Sequence, residues 1–493
     1  MLNSRPKIFQ AIVACTIGLA SIFLLLYIHS GLYRTTIFVD EGDIFISRSI
    51  RNGSLLYRDS FQENAPLRYY LTALWGPSFD FDILKLRKLI TAIAMATLTA
   101  GFLHLLTGSG IIPAALFALV FALLNPMVQG YQYLSEPFCA LILVVASAWA
   151  FRMNKFNSTE LIGIGFLCAL SPLLKQSSIL AASGIIVGLA LRRREGVKGF
   201  FKTLVLCGLG AIIPHIIFTI YYALYGACTD FWHGYLYFLG PYRRELYLRA
   251  PSWFERGSVL VVAALLLTSL ARLIETKLER RELPIAFAAA GSLAMLTSAY
   301  VPFHALVPST LLLLFAAPSI KSPRKPSMWV LLISLVIVSP SFVSNYRTFF
   351  ENNWRRSDAY TQISIAKQVA KLSEESKYTL VLPLEPCIYL YSGLEPASYF
   401  SFYLPWLGIP QNWQRLHDDL ERTKPKIIVW TYFNDRPGVF HPREYARPLL
   451  EYISKNYRYH ANLYRRLIFV RSYDCDDKCR DFNLRLLLGG GFN

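Results

Sequence analysis

This sequence has no Gly-rich phosphate loop, no internal repeat, no low-complexity tract and no charged residue deep inside its apolar runs. Each absence removes a class of function. Without a Gly-rich loop there is no cradle for the phosphates of a soluble nucleotide. Ion-coupled pumps and transporters usually carry charged groups near mid-membrane or pairs of related repeats, and neither is present. No small-x-small cleavage site follows the first apolar run, which at about 20 residues exceeds a signal-peptide core. "MLNSRPKIFQAIVACTIGLASIFLLLYIHSGLY" therefore reads as a retained first span. Acidic residues are few, 32 against 50 Lys and Arg, which leaves a net charge of +18. In a soluble chain that excess would suggest nucleic acid. Here the basic residues sit at the ends of apolar runs, so membrane topology accounts for them and no nucleic-acid partner is expected. Cysteine is also sparse. Cys15, Cys139, Cys168 and Cys207 lie inside apolar runs as small hydrophobes, and Cys228 and Cys387 are isolated. Cys475 and Cys479 could close a small disulfide in an oxidising compartment, whereas a zinc site would need two further ligands that are not nearby.

What is abundant is apolar residues: 54% of the 493 residues are hydrophobic and 14% aromatic. The expectation is a mainly α, polytopic membrane protein with about eleven spans. The apolar runs fall near 8–29, 85–107, 110–128, 135–151, 160–174, 177–191, 202–223, 257–271, 284–300, 305–318 and 327–344. Arg5 and Lys7, Arg152 and Lys155, "RRREGVKGFFK", "RLIETKLERRE" and "KSPRKP" all fall on one side, which the positive-inside rule makes cytoplasmic. An odd span count then puts the loop 30–84, the loop 224–256 and the tail outside. The chain divides into a membrane region, 1–345, and an extracytoplasmic α/β domain, 346–493. In the latter "KYTLVLPL", "PKIIVWTYF" and "RRLIFVRS" read as buried strands, with helical patterns around 411–423 and 443–455.

The first outer loop carries the chemistry. Asp40-Glu41 follows span one directly. Phe45, Ile46, Ser49 and Ile50 recur at helical spacing before a stop at Gly53, and Leu67, Tyr70, Leu71 and Leu74 share one face of a second short helix starting near Pro66. Both helices suit the membrane interface. An acidic pair followed by "NGSLLYRDSFQENAPLRYYL" resembles the first outer loop of the C-type (GT-C) glycosyltransferases, most of all the protein-mannosyltransferase-like branch that includes aminoarabinose transferases to lipid A. "LRKLI" (86–90), "YLSEPF" (133–138), "LLKQSSI" (173–179) and "YVPFHALVPSTLLL" (300–313) are compatible and occur in the family's order. The resemblance implies a GT-C fold in a bacterial or archaeal plasma membrane. It also implies transfer of a hexose or pentose from a polyprenyl-phosphate donor to a lipid, glycan or protein outside the cytoplasm. Close relatives often carry a Lys before "P-P-L", where this chain has Asn64 and Ala65. The Trp-Trp-Asp signature of oligosaccharyltransferases is missing.

Such a reaction needs little machinery. A phosphate leaves as a stabilised anion, so the pair of opposed carboxylates used in glycoside hydrolysis is unnecessary. One carboxylate to take the acceptor's proton and cations to hold the phosphate suffice. Asp40 is the expected base, with Glu41 next; the alternatives are a helix N-cap or a divalent metal held by the pair. No other cofactor is expected. Glu136 either assists as a second acid or merely starts a helix that Ser135 caps. Arg58, Arg68, Arg87, Lys175, Arg243 and Arg244 are outer-side cations that either contact phosphate or snorkel to water. His304 is a rim histidine for substrate or a backbone carbonyl. "DFD" (80–82) matches an Asp-x-Asp metal motif by chance, and "GYLYFLGPYRRELY" (234–247) is an aromatic belt or a sugar or prenyl groove. The rival functions are a transporter or flippase of lipid-linked sugars and a catalytically inactive scaffold of the same fold.

Overall fold

The computed structural model describes residues 5–35, 40–62, 64–153, 157–193, 196–236, 253–275, 280–297, 305–321, 326–330, 333, 347, 351, 358–374, 376–383, 385–404, 407–431, 445–464 and 466–488. Its larger part is helical. Apolar runs become helices because, in lipid, each backbone N–H and C=O must be satisfied within its own segment. The helices are α1 (Arg5–Leu32), α2 (Asp40–Arg51), α3 (Leu67–Trp75), α4 (Ile83–Gly108), α5 (Ile111–Met127), α6 (Ser135–Arg152), α7 (Ser158–Leu174), α8 (Ile179–Arg192), α9 (Gly196–Leu224) and α10 (Cys228–Leu236). They continue with α11 (Trp253–Glu275), α12 (Leu283–Ser292) and α13 (Leu306–Ala316). A helix lies on each of the first ten expected spans; most of the eleventh, 327–344, falls outside the described residues. Among the described residues four helices are long and apolar enough to cross a membrane: Ile12–Leu32, Ile83–Gly108, Ser135–Arg152 and Gly196–Leu224. The expected runs 160–174 and 177–191 are separate helices: α7 stops at Leu174, Lys175 is extended, and α8 starts at Ile179.

Small residues draw neighbouring helices together, as packing in lipid favours. A Cβ on Gly165 of α7 would lie 1.9 Å from the Cys207 carbonyl oxygen of α9, and one on Gly210 equally close to that of Ile162. The two ends of the bundle differ. At one end, arginines meet helix-terminal carbonyls: Arg152 Nη2 donates to Leu103 O (3.3 Å), and Arg192 Nη1 donates to Phe151 O (3.0 Å). At the other end, α4, α6 and α8 begin and α7 stops, and the first loop folds over them.

In that loop both short helices form. Gly53, at φ +99°, ends the chain's exit from α2 in a conformation that a side chain would strain. The burial of α3 is the reverse of the soluble-helix expectation. Arg68, Tyr69, Thr72 and Ala73 are buried, and Leu74 is 70% exposed.

The C-terminal part holds a five-stranded sheet, order β2-β1-β3-β5-β4, made of β1 (Tyr378–Leu382), β2 (Glu395–Pro396), β3 (Ile427–Thr431), β4 (Tyr457–Leu463) and β5 (Arg466–Arg471). β1 is parallel to β2 and β3, while β5 runs antiparallel to both β3 and β4. The three apolar strands are those the sequence suggests; β2 and β4, at the two edges, are additional. Helices α14 (Asp358–Ser373) and α15 (Cys387–Ser392) join one core with Val381, Val429 and Ile468. Helices α16 (Pro410–Thr423), α17 (Arg447–Asn456) and α18 (Asp477–Leu487) join the other with Leu380, Trp430 and Phe469. Cys475 and Cys479 are joined by a disulfide before and within the first turn of α18. The boundary expected near residue 345 lies outside the described residues. The sheet rests on the first loop: Phe61 packs against Phe400 and Phe402, its N–H donates to Tyr399 O (3.0 Å), and the Tyr399 hydroxyl donates to Tyr57 O (2.6 Å). Burial pushes that hydroxyl's pKa up to about 12.

Candidate active site at the rim of the helical bundle

Helix α2 begins at Asp40, so Asp40 and Glu41 occupy its first turn. An exposed positive dipole end favours acids there. The side chains of both residues lie outside the described part. Asp43, three residues on and on the same helical face, was not singled out from sequence. It is 3% exposed and forms an ion pair with Arg68, also 3% exposed. Arg68 Nη1 also reaches Tyr133 O at 3.5 Å, and its guanidinium lies 5.8 Å from the centre of the Tyr69 ring. The spacing Asp40, Asp43, Ser47 was the available signal for Asp43.

Tyr133 links α3 to the start of α6. Its hydroxyl is 2.6 Å from Thr72 Oγ1 and accepts from Trp75 Nε1 at 2.8 Å. Glu136, in the first turn of α6, is 1% exposed, and the Lys175 Nζ lies 3.3 Å from its Oε1. Ser135 does not cap α6, whose N-cap is Leu134; its hydroxyl donates to Glu136 Oε2 at 3.4 Å. Lys175 is 5% exposed and sits in the break between α7 and α8, where an extended backbone (φ −150°, ψ 110°) aims it across to α6. The structure thus joins a predicted acid to a predicted phosphate-holding cation. Two buried ion pairs, Asp43–Arg68 and Glu136–Lys175, lie at one rim, with Tyr133 meeting Arg68 three residues before Glu136.

Arg87 is fully buried one turn into α4, and its Nη1 donates to Tyr33 O (2.9 Å) and Thr35 O (3.0 Å). It therefore serves carbonyls just past the end of α1, which a helix terminus leaves open. Arg58 is exposed and forms a fork with its neighbour Asp59, Nε to Oδ1 at 2.8 Å and Nη2 to Oδ2 at 2.9 Å. That contact holds the Asp59 carboxyl below its usual range. Asn64 is half-buried and its carbonyl accepts from the Tyr57 hydroxyl at 2.6 Å. Arg243, Arg244 and His304 lie outside the described residues. In "DFD", Asp80 pairs with Lys85 and Asp82 caps α4 by accepting from Lys85 N at 2.9 Å. Among the described residues no group of three or more His, Cys, Asp or Glu side chains could hold a metal ion.

No protein-family model and no curated protein matches the sequence. Solved structures do. ArnT from Cupriavidus metallidurans, bound to undecaprenyl phosphate, is similar over 96% of this chain and 99% of its own, with a TM-score of 0.57 at 13% identity. The archaeal oligosaccharyltransferase AglB from Archaeoglobus fulgidus, in complex with an inhibitory peptide and a dolichol-phosphate, is similar over 94% of this chain and 75% of its own, with a TM-score of 0.54 at 11% identity. Both are GT-C glycosyltransferases. The chain has the GT-C fold. Within the GT-C fold of this chain, the rim that gathers Asp43, Arg68, Glu136 and Lys175 is the end where the first loop meets the bundle and where the C-terminal sheet covers that loop.

Proposed function

We propose that the chain is an integral-membrane glycosyltransferase that moves a sugar from a polyprenyl-phosphate donor to an extracytoplasmic acceptor. The observation that carries this reading is the fold likeness, nearly end to end, to a structure that holds undecaprenyl phosphate. In this reading Asp40, at the start of α2, takes the proton of the acceptor hydroxyl in a single inverting displacement, with Glu41 beside it. Lys175 offers its ammonium to the donor phosphate, and Glu136 holds that ammonium at the helix break. Arg87 fixes the end of α1 next to α2 and adds positive potential at the same rim. A compact ammonium can share its three protons between a carboxylate and an arriving phosphate, which suits a group already paired with Glu136. Arg243, Arg244 and His304 complete the proposed substrate contacts, and the C-terminal sheet caps the cavity.

The test is sugar transfer by the purified chain in lipid nanodiscs, from a panel of polyprenyl-phosphate hexoses and pentoses, compared with Asp40→Asn. The expected outcome is transfer from at least one donor, lowered by about 10²–10⁴-fold in the variant. Transfer untouched by the substitution rejects Asp40 as base. Passage of donor across the bilayer without transfer rejects the enzyme.

A further inference from the structure

We propose that α15 and the connection leading into it act as a strap through which the C-terminal sheet positions the acidic first turn of α2 relative to α4. The catalytic meaning of that strap rests on the function proposed above. α15 is only six residues long, Cys387–Ser392, and so short a helix has no stability of its own. Its place is set by what it touches, and it touches three things at once.

The first contact is the sheet. Glu385, two residues before α15, is 3% exposed and accepts a fork from Arg466, with Nε at 3.0 Å and Nη2 at 2.6 Å. Gln362 Nε2 (3.0 Å) and Thr431 Oγ1 (2.8 Å) donate to the same carboxylate. The Tyr389 hydroxyl accepts from Val381 N of β1 at 2.8 Å. These bonds fasten the strap to the carboxyl ends of the parallel strands.

The second contact is α2. Arg48 donates through Nη1 to Leu390 O (2.7 Å) and through Nη2 to Tyr389 O (3.1 Å), supplying two carbonyls that α15 leaves open at its end. The Tyr389 ring lies 5.3 Å from that of Phe45. Pro386 sits 3.4 Å from where a Cβ on Gly42 would lie, so the strap runs beside the turn that contains Asp40 and Glu41. The third contact is α4, where the Tyr391 hydroxyl accepts from the N–H of Ile83, the helix's first residue, at 3.3 Å. That helix carries Arg87 one turn later. One short element therefore sets the spacing between the acidic turn and the start of the helix that bears a rim cation. Spacing of this kind governs rate: a misplacement of about 1 Å can cost about 10²-fold.

Arg48 and Tyr391 are positioning residues, and the test separates positioning from mere support. Arg48→Ala, Arg48→Lys and Tyr391→Phe are compared with the parent chain in nanodiscs for kcat, donor KM, thermal midpoint and hydrogen exchange of residues 41–47 and 83–87. The expected result is a fall in kcat of about tenfold for Arg48→Ala and about threefold for Tyr391→Phe at unchanged donor KM, with partial rescue by Arg48→Lys. Exchange is expected to quicken in those two segments and not elsewhere. Folded variants with parental kcat, or with parental exchange at 41–47, overturn the strap. If Arg48→Ala fails to fold, Tyr391→Phe, which removes one hydroxyl, decides alone. If the parent chain transfers no sugar from any donor, the proposed function fails, and the exchange data by themselves decide for or against the strap.

Discussion

Two sets of cations in the helical bundle are answered differently. Neither kind is confined to one end, since Arg87 at the rim serves carbonyls and Arg272 near Arg192 pairs with Glu282. At one end Arg152 and Arg192 donate to carbonyls of Leu103 and Phe151, so neutral backbone dipoles take the charge. At the other, Arg68 and Lys175 are each buried against a carboxylate, Asp43 and Glu136. A carbonyl-capped arginine seals a helix end and can be replaced by water and a polar side chain. A buried ion pair costs desolvation of both partners, so it is a poor device for stability alone and a reasonable one for presenting charge.

The comparison can be broken in order of expected effect. Glu136→Ala leaves Lys175 buried without that carboxylate and should destabilise the chain by about 3–5 kcal/mol, read as a fall in denaturation midpoint in detergent. Arg192→Gln, where carbonyls take the charge, should cost only about 1–2 kcal/mol by the same measurement. Equal losses would erase the distinction between a carbonyl-served and a carboxylate-paired cation. Next, Glu136→Leu combined with Lys175→Met should recover most of the stability lost in Glu136→Ala, because a buried pair replaced by apolar groups is often neutral. Donor binding should stay at least about tenfold weaker than in the parent, which titration with polyprenyl phosphate would show. Recovery of binding along with stability would make the pair purely structural. The smallest effect concerns pH. The Asp59 carboxyl is held low by Arg58 in the folded chain. Its stabilising contribution is therefore present above the ordinary carboxyl pKa of about 4 and is lost as pH falls through the lower folded value. Since Arg58 is exposed, Asp59→Asn should shift the midpoint by less than about 1 °C at pH 7, and by less still once the pH is below that lowered value.

Much of this architecture was readable because apolar length dictates it. Runs such as Ile83–Gly108 have no choice but helix in lipid, and "LVL", "IIV" and "LIF" mark the buried strands. β4 escaped because an edge strand alternates, and Arg458, His460 and Asn462 hide it among polar residues. The apolar face of α3 was legible from its spacing, but which of its polar residues turn inward was not: Arg68 and Thr72 are buried while Leu74 is exposed. The acidic turn was legible as a motif, but the pairing of its neighbours was not. Asp43 meets Arg68, and Glu136 meets Lys175, across gaps that no local periodicity spans. Arg87 illustrates the limit of motif reading: its position matches the family, and its Nη1 is committed to the end of α1.

The glycines at the crossing of α7 and α9 have a practical side. Replacing a helix-interior glycine with alanine is a standard way to make a protein more heat-resistant, since alanine is the better helix former. At Gly165 and Gly210 the added methyl would meet a facing carbonyl oxygen, so the same exchange would wedge the two helices apart. A consensus-driven thermostabilisation of this chain should leave those two positions untouched.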